Sequence, residues 1–162
     1  RNDFVRALSI CRSHDLLLNP TFVTFTPWTT PQAYVDLLRL IIELELIEQI
    51  APIQYAIRLL IPSASRLLEL EEMADLIDDF DESSICYPWR HPDPAVDRLY
   101  ETVMECITSG QELGSSRHQI FEQVWRVACE NERLVEEKAW GISRIQGARQ
   151  RMIPHLSEPW YC

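Results

Sequence analysis

The sequence predicts an α/β fold in two parts, a βαβ unit within residues 1–64 and a mostly helical extension over residues 65–162. Two apolar runs, at residues 20–26 and 52–61, are rich in the β-branched and aromatic residues typical of strands. The stretch between them repeats apolar residues every three or four positions, which indicates a helix. Because both runs are apolar on both faces, as strands of a parallel sheet are, we expect them to belong to a larger α/β body.

Each element of the first part has a local signal. A first helix is predicted over residues 2–14, where four apolar residues share one face: Phe4, Val5, Leu8 and Cys11. Pro20 can open the first strand, since a first position needs no ladder donor. Thr30 is a good N-cap and Pro31 a good first residue for the next helix, which we expect to end near residues 46–48. The second strand then follows Pro52.

The second part is predicted to be helical after an acidic start. Residues 65–84 form an amphipathic segment whose carboxylates we interpret as a solvated face, because the spacing and the glycine of a calcium loop are missing. Asp93 and Pro94 begin the next helix, and Ser115 or Ser116 caps the last long one. The helical pattern fades from Gly141 onwards.

Composition excludes several classes of function. The net charge of −10 argues against binding to nucleic acid or to an anionic membrane surface. The five cysteines are odd in number and widely spaced, which favours reduced thiols, and so a cytoplasmic protein, over a disulfide framework. The same spacing lacks the close pairs of a structural zinc site, so no metal site is predicted.

Four residues near the C-terminal ends of the two strands are the candidate cofactor-binding residues: Thr24, Thr26, Trp28 and Arg58. Ligands bind at that end of parallel strands, where threonine hydroxyls can donate hydrogen bonds and an indole can stack. Arg58 interrupts an apolar run, so its guanidinium must meet either a ligand or an acidic residue of a neighbouring helix. The sequence leaves both alternatives open, and ordinary packing is the alternative for each single threonine.

Four strings resemble those of a known family: PTFVTFTPWTT at residues 20–30, IQYAIRLLIP at 53–62, CYPWRHPDP at 86–94 and PWYC at 159–162. They are similar to the late barrel strands and the C-terminal region of the radical S-adenosylmethionine (radical SAM) proteins that end in a CUAEP or CCAEP tail. The resemblance implies a TIM-like partial barrel that holds a [4Fe-4S] cluster and S-adenosylmethionine. Its reaction is 5′-deoxyadenosyl radical chemistry on a small-molecule or peptide substrate that the sequence does not identify.

The resemblance also implies roles for individual residues. Thr24, Thr26 and Trp28 would border the S-adenosylmethionine pocket, and Arg58 would meet the carboxylate or ribose of that cofactor, or the substrate. The CxxxCxxC motif that holds the cluster is absent, so we expect this chain to be a C-terminal part that binds no cofactor and is inactive alone.

Cys162 matches the first cysteine of the family's tail and is the predicted catalytic residue. One hypothesis is that a selenocysteine codon follows it and is read as a stop, which the coding DNA would test; the alternative is that the position of Cys162 at the end has no functional meaning. Adjacent thiol and selenol groups suit redox or covalent chemistry.

A function of a different class remains open. The chain would then be a non-catalytic helical domain that binds a partner or forms a homodimer through exposed apolar strands.

Overall fold

The computed structural model describes residues 2–147, and this part of the chain is mostly helical. Five α-helices occur in these residues: α1 (Asn2–Ser13), α2 (Pro31–Glu43), α3 (Pro94–Glu112), α4 (Arg117–Asn131) and α5 (Val135–Gly147). Short 3-10 turns lie between α2 and α3. The helical character predicted for the second part is therefore confirmed over residues 94–147.

Three helix starts form as their sequences predict. Thr30 accepts a hydrogen bond from the Ala33 N–H at 3.1 Å, with Pro31 as the first residue of α2. The side chain of Asp93 accepts from the Ala95 N–H at 2.9 Å and begins α3. Ser116, rather than Ser115, caps α4 through a reciprocal capping box with Gln119.

Helix ends depart further from the prediction. α2 ends at Glu43 rather than near residues 46–48, because Glu45 takes a left-handed conformation with φ of 53°. The N–H of Leu46 then donates to the Ile41 carbonyl at 3.0 Å, and that of Glu45 to the Ile42 carbonyl at 3.1 Å. This is a Schellman motif, which satisfies carbonyls that the helix leaves open. α5, by contrast, continues past Gly141 to Gly147.

The two predicted strands are wrong for the described residues, which contain isolated bridges but no strand. Residues 52–56 form a 3-10 turn. Between the two apolar runs, Phe25 and Arg58 alone pair, in a parallel bridge. The N–H of Phe22 donates to the Gln54 side chain at 3.1 Å, where a ladder would supply a carbonyl. Two extended segments form a sheet only when successive residues of both continue the ladder of hydrogen bonds, and here the pairing stops after a single bridge.

The acidic segment is a chain of turns around a small core of its own. It contains 3-10 turns at Arg66–Glu69 and Glu71–Met73, followed by an antiparallel hairpin with bridges from Ile77 to Trp89 and from Asp81 to Cys86. Ile61, Met73 and Trp89 are the buried centre of this region.

The main core draws on both predicted parts. α4 packs against α2, α3 and α5, and buries Phe121 and Trp125 completely. Leu38 of α2 belongs to the same cluster. One hydrophobic core thus contains residues from both sides of the predicted boundary between residues 64 and 65. Whether this boundary separates two parts of a larger protein stays a prediction. None of the helices within residues 2–147 has the length and apolar content needed to cross a membrane.

Candidate functional site

The centre of the candidate site is Arg58, which the parallel bridge to Phe25 fixes in place. Its Nη1 donates to Oδ1 of Asp97 at 2.8 Å, and its Nη2 donates to the carbonyl of Trp89 at 2.7 Å. The guanidinium carbon lies 3.9 Å from the Trp89 ring centroid and 5.1 Å from that of Tyr100. We call these four residues the Arg58 cluster: Arg58, Trp89, Asp97 and Tyr100.

Asp97 is itself held from two sides. It lies in the first turn of α3, where a carboxylate is favoured by the helix dipole. Its second oxygen, Oδ2, accepts from the His91 N–H at 2.9 Å. Of the two alternatives for Arg58, the structure contains the ion pair with a neighbouring helix, and its role towards a ligand stays a prediction.

The threonines next to this cluster bond mainly to one another and to backbone. Thr24 is buried, and its hydroxyl donates to the Ile57 carbonyl at 3.0 Å. The hydroxyl of Thr29 donates to the Thr24 carbonyl at 3.1 Å and accepts from the Thr26 N–H at 2.9 Å. The hydroxyls of Thr26 and Thr29 lie 3.0 Å apart. This network shapes the turn that leads into α2.

Trp28 is the candidate residue with an accessible ring. It is 50% exposed, and its indole N–H donates to a carboxylate oxygen of Glu72 at 2.9 Å. The structure therefore brings Thr24, Thr26 and Arg58 together around one bridge. Trp28 lies on the outside, where its ring could stack on a planar ligand. Cys162, the predicted catalytic residue, lies outside the described residues.

The described cysteines do not fit an iron–sulfur cluster. Cys11, Cys106 and Cys129 lie on three different helices and Cys86 on the hairpin. Within residues 2–147, no three histidine, cysteine or acidic side chains are grouped so that they could hold a metal ion. Burial, followed by the charge of Glu137, raises the pKa of the Cys129 thiol to about 11, which keeps it protonated and unreactive at neutral pH. No step through a cluster follows from these residues.

A second polar group, which the sequence analysis missed, surrounds the buried Tyr55. His118 Nδ1 is hydrogen-bonded to the Glu48 carboxylate, and Arg117 donates to the Glu48 carbonyl at 2.6 Å. Burial raises the pKa of the Tyr55 phenol far above its usual value; Arg117 opposes that shift and Glu48 adds to it. About seventy positions separate Glu48 from His118, so no local pattern could indicate the contact.

No family model, curated protein or solved structure matches the chain.

Proposed function

We propose that this chain is the C-terminal part of a radical SAM enzyme with a CUAEP- or CCAEP-type tail. The whole enzyme carries out 5′-deoxyadenosyl radical chemistry, and this part is inactive alone. Two of the strings behind the proposal, at residues 20–30 and 53–62, contain Phe25 and Arg58. When bound, the cluster and S-adenosylmethionine supply the radical, and this chain contributes residues of the cofactor pocket.

The observation that supports the proposal best is the parallel pairing of Phe25 with Arg58 on either side of α2. Two parallel strands joined by a helix are the repeating unit of α/β barrels, and here a single bridge has the same parallel direction and the same helical connection. The N–H of Leu59 donates to the Phe25 carbonyl at 2.8 Å, which aligns the two segments at their C-terminal ends. Thr26, Trp28 and Arg58 lie at that end, where barrel enzymes bind their ligands.

The test uses the full-length parent protein. We expect anaerobic reconstitution with iron and sulfide to load roughly four irons per chain, and S-adenosylmethionine to bind in equilibrium dialysis. Arg58→Lys should weaken that binding, whereas Arg90→Lys, a change at an exposed arginine, should leave it unchanged. A parent without iron, or with equal cofactor binding in both variants, contradicts the proposal. Thermal unfolding of each variant separates lost binding from lost folding.

A non-catalytic interaction domain is the second candidate, and one observation favours it. α1 fully buries only Leu8, and large apolar side chains around it are 40–60% exposed: Val5, Ile10, Leu16, Leu17 and Val23. Exposed apolar side chains that lie together are typical of protein interfaces, and Leu16 and Leu17 are neighbours shortly after the end of α1.

In this second candidate function, the partner is a second copy of the chain. We expect light scattering to detect a dimer that the double variant Leu16→Ser/Leu17→Ser abolishes. The control is Leu113→Ser, which alters a still more exposed leucine just after α3. A wild-type chain that remains monomeric at every concentration would refute it.

A further inference from the structure

The hairpin of residues 77–89 is a platform at the surface, held together by backbone hydrogen bonds. The N–H of Asp78 donates to the Pro88 carbonyl at 2.8 Å, and that of Asp81 to the Cys86 carbonyl at 3.0 Å. The N–H of Tyr87 donates to the Ile61 carbonyl at 2.8 Å, which fixes the adjoining Leu60 beside the hairpin. The hairpin contributes Trp89 to the small buried core, where it packs with Ile61 and Met73.

Large apolar side chains are exposed on this platform. Leu60 is 72% exposed and Ile85, in the hairpin turn, is 70% exposed. Phe80 is also exposed, and its ring packs edge-on against Tyr87 with centroids 5.1 Å apart. Ring packing joins Phe80 to Tyr87, Ile85 lies two positions before Tyr87 in the hairpin, and Leu60 precedes Ile61, whose carbonyl Tyr87 contacts. We therefore take these four residues together as one apolar surface, of which Leu60, Phe80 and Ile85 are exposed among the described residues.

Carboxylates adjoin this surface along the chain, since Asp79 and Asp81 flank Phe80 and Glu82 lies in the hairpin turn near Ile85. Residues 65–90 contain two basic side chains, Arg66 and Arg90, against eight acidic ones: Glu69, Glu71, Glu72, Asp75, Asp78, Asp79, Asp81 and Glu82. Each arginine is already close to a carboxylate, Arg66 at 3.8 Å from Glu69 and Arg90 at 3.3 Å from Asp78. Hydrogen bonds from the hydroxyls of Ser84 and Ser83 lower the pKa of Asp81, so that carboxylate stays charged.

We propose that this surface, Leu60 with Phe80, Ile85 and Tyr87, docks a basic polypeptide segment that carries apolar side chains. An apolar centre with a charged rim is the usual anatomy of a protein interface, in which the centre supplies affinity and the rim steers the encounter. The rim repels phosphate backbones and anionic lipids, which excludes nucleic acid and membrane surfaces as occupants.

A second copy of the chain does not fit this surface. A twofold contact brings each surface onto itself, so the carboxylates of one copy would face those of the other. Like charges placed opposite each other oppose association. The complementary occupant is therefore a partner with lysine or arginine next to leucine-like side chains.

The test is fluorescence anisotropy with a labelled synthetic peptide of alternating leucine and arginine. We expect the intact chain to bind it, more tightly at low than at physiological salt. The double variant Leu60→Ser/Ile85→Ser should weaken binding roughly tenfold, because the apolar contact is lost. The matched control is Leu113→Ser, a similarly exposed leucine elsewhere.

A second pair of variants tests the rim. Asp79→Asn/Glu82→Gln should weaken binding and reduce its salt dependence, whereas Glu101→Gln/Glu105→Gln on the exposed face of α3 should not. A peptide with glutamate in place of arginine should not bind.

Four outcomes overturn the proposal: no binding of the leucine–arginine peptide, equal binding of the glutamate peptide, undiminished binding to the Leu60→Ser/Ile85→Ser variant, or an equal loss in the controls. Self-association of the chain that this variant abolishes would identify a second copy as the occupant and would also overturn it. Thermal unfolding of every variant shows whether a loss of binding comes from misfolding.

Discussion

Arg58 illustrates how a charged residue is accommodated within an apolar run. Its guanidinium bonds to Asp97 and to the Trp89 carbonyl while its face stacks on an indole ring. Charge-assisted hydrogen bonds combined with stacking suit arginine and not lysine, whose ammonium group is compact and strongly hydrated. The sequence predicted that Arg58 needs a partner, but Asp97 lies 39 positions away, beyond the reach of local patterns.

Replacing Arg58 with lysine should therefore lower the free energy of unfolding by about 1.5–3 kcal/mol, since hydrogen bonds to a charged, partly buried group are lost. Urea denaturation measures the change. As a control, Arg90→Lys should cost less than about 0.5 kcal/mol, because the Arg90 side chain is 78% exposed. Equal effects at the two positions would contradict the structural importance of the Arg58 cluster.

Gly141 is required by close packing between two helices. A Cβ at this position would overlap the indole of Trp125, which is completely buried. Gly141→Ala should thus cost about 1–3 kcal/mol of stability through overpacking.

The control for this substitution lies on the same helix. Gly147 has no atom within 4 Å of an added Cβ, so Gly147→Ala should be neutral or stabilise by up to about 1 kcal/mol. Thermal melts of both variants are sufficient, and a tolerated Gly141→Ala would mean that α4 and α5 are not so closely packed.

At the level of elements, the helix starts were predictable and the strands were not. An N-cap such as Thr30 or Asp93 needs only its own side chain and the next few backbone groups, all of which are local in sequence. A strand needs a distant partner, and its propensity reflects a half-buried surface rather than an intrinsic backbone preference. The N–H groups of Thr24 and Phe25 both donate to the Ile57 carbonyl, and the Phe25 carbonyl accepts from Leu59, so their strand-like composition yields one bridge.

The end of α2 provides a test at the same scale. Glu45 is exposed and has a φ of 53°, a conformation that costs an L-residue with a side chain about 1–2 kcal/mol but costs glycine nothing. Glu45→Gly should raise the free energy of unfolding by roughly 0.5–1 kcal/mol, after allowance for the greater entropy of glycine in the unfolded chain.

A glutamate within a helix gives the matched comparison. Glu101 is exposed in the middle of α3, and Glu101→Gly should destabilise the protein by about 1 kcal/mol. Opposite signs for the two substitutions in chemical denaturation would establish the left-handed helix end, and a loss in both would argue against it.

For the molecule as a whole, the sequence correctly predicted helices over residues 94–147, whereas residues 65–93 form turns and a hairpin. It could not predict that one core would join the two parts, because the contacts of α4 with α2 depend on how distant segments pack. The sequence analysis also missed the polar group around Tyr55, formed by Glu48, Arg117 and His118, and the apolar surface at the hairpin, because both depend on contacts between separate segments.

Burial of ionisable groups predicts a loss of stability at alkaline pH. The pKa of the Cys129 thiol is raised from 9.0 to about 11, mainly by burial. Its contribution to the free energy of unfolding is therefore complete below pH 9 and is lost as the pH rises towards 11. Burial also raises the pKa of Tyr34 and Tyr55, which extends the loss to higher pH.

Urea unfolding at a series of pH values measures this effect. The stability of Cys129→Ala should fall less steeply than that of the wild-type chain between pH 9 and 11, since the variant has no thiol to ionise. Identical slopes would show that Cys129 does not ionise differently in the folded and unfolded states.

The small core around Ile61, Met73 and Trp89 is separate from the main core, and this affects local unfolding. Three buried side chains hold much less apolar area than the main cluster does, so this region can open while the helices remain folded. In deuterated solvent, the amide protons of Asp78 and Tyr87 should exchange well before that of Val103 in the centre of α3.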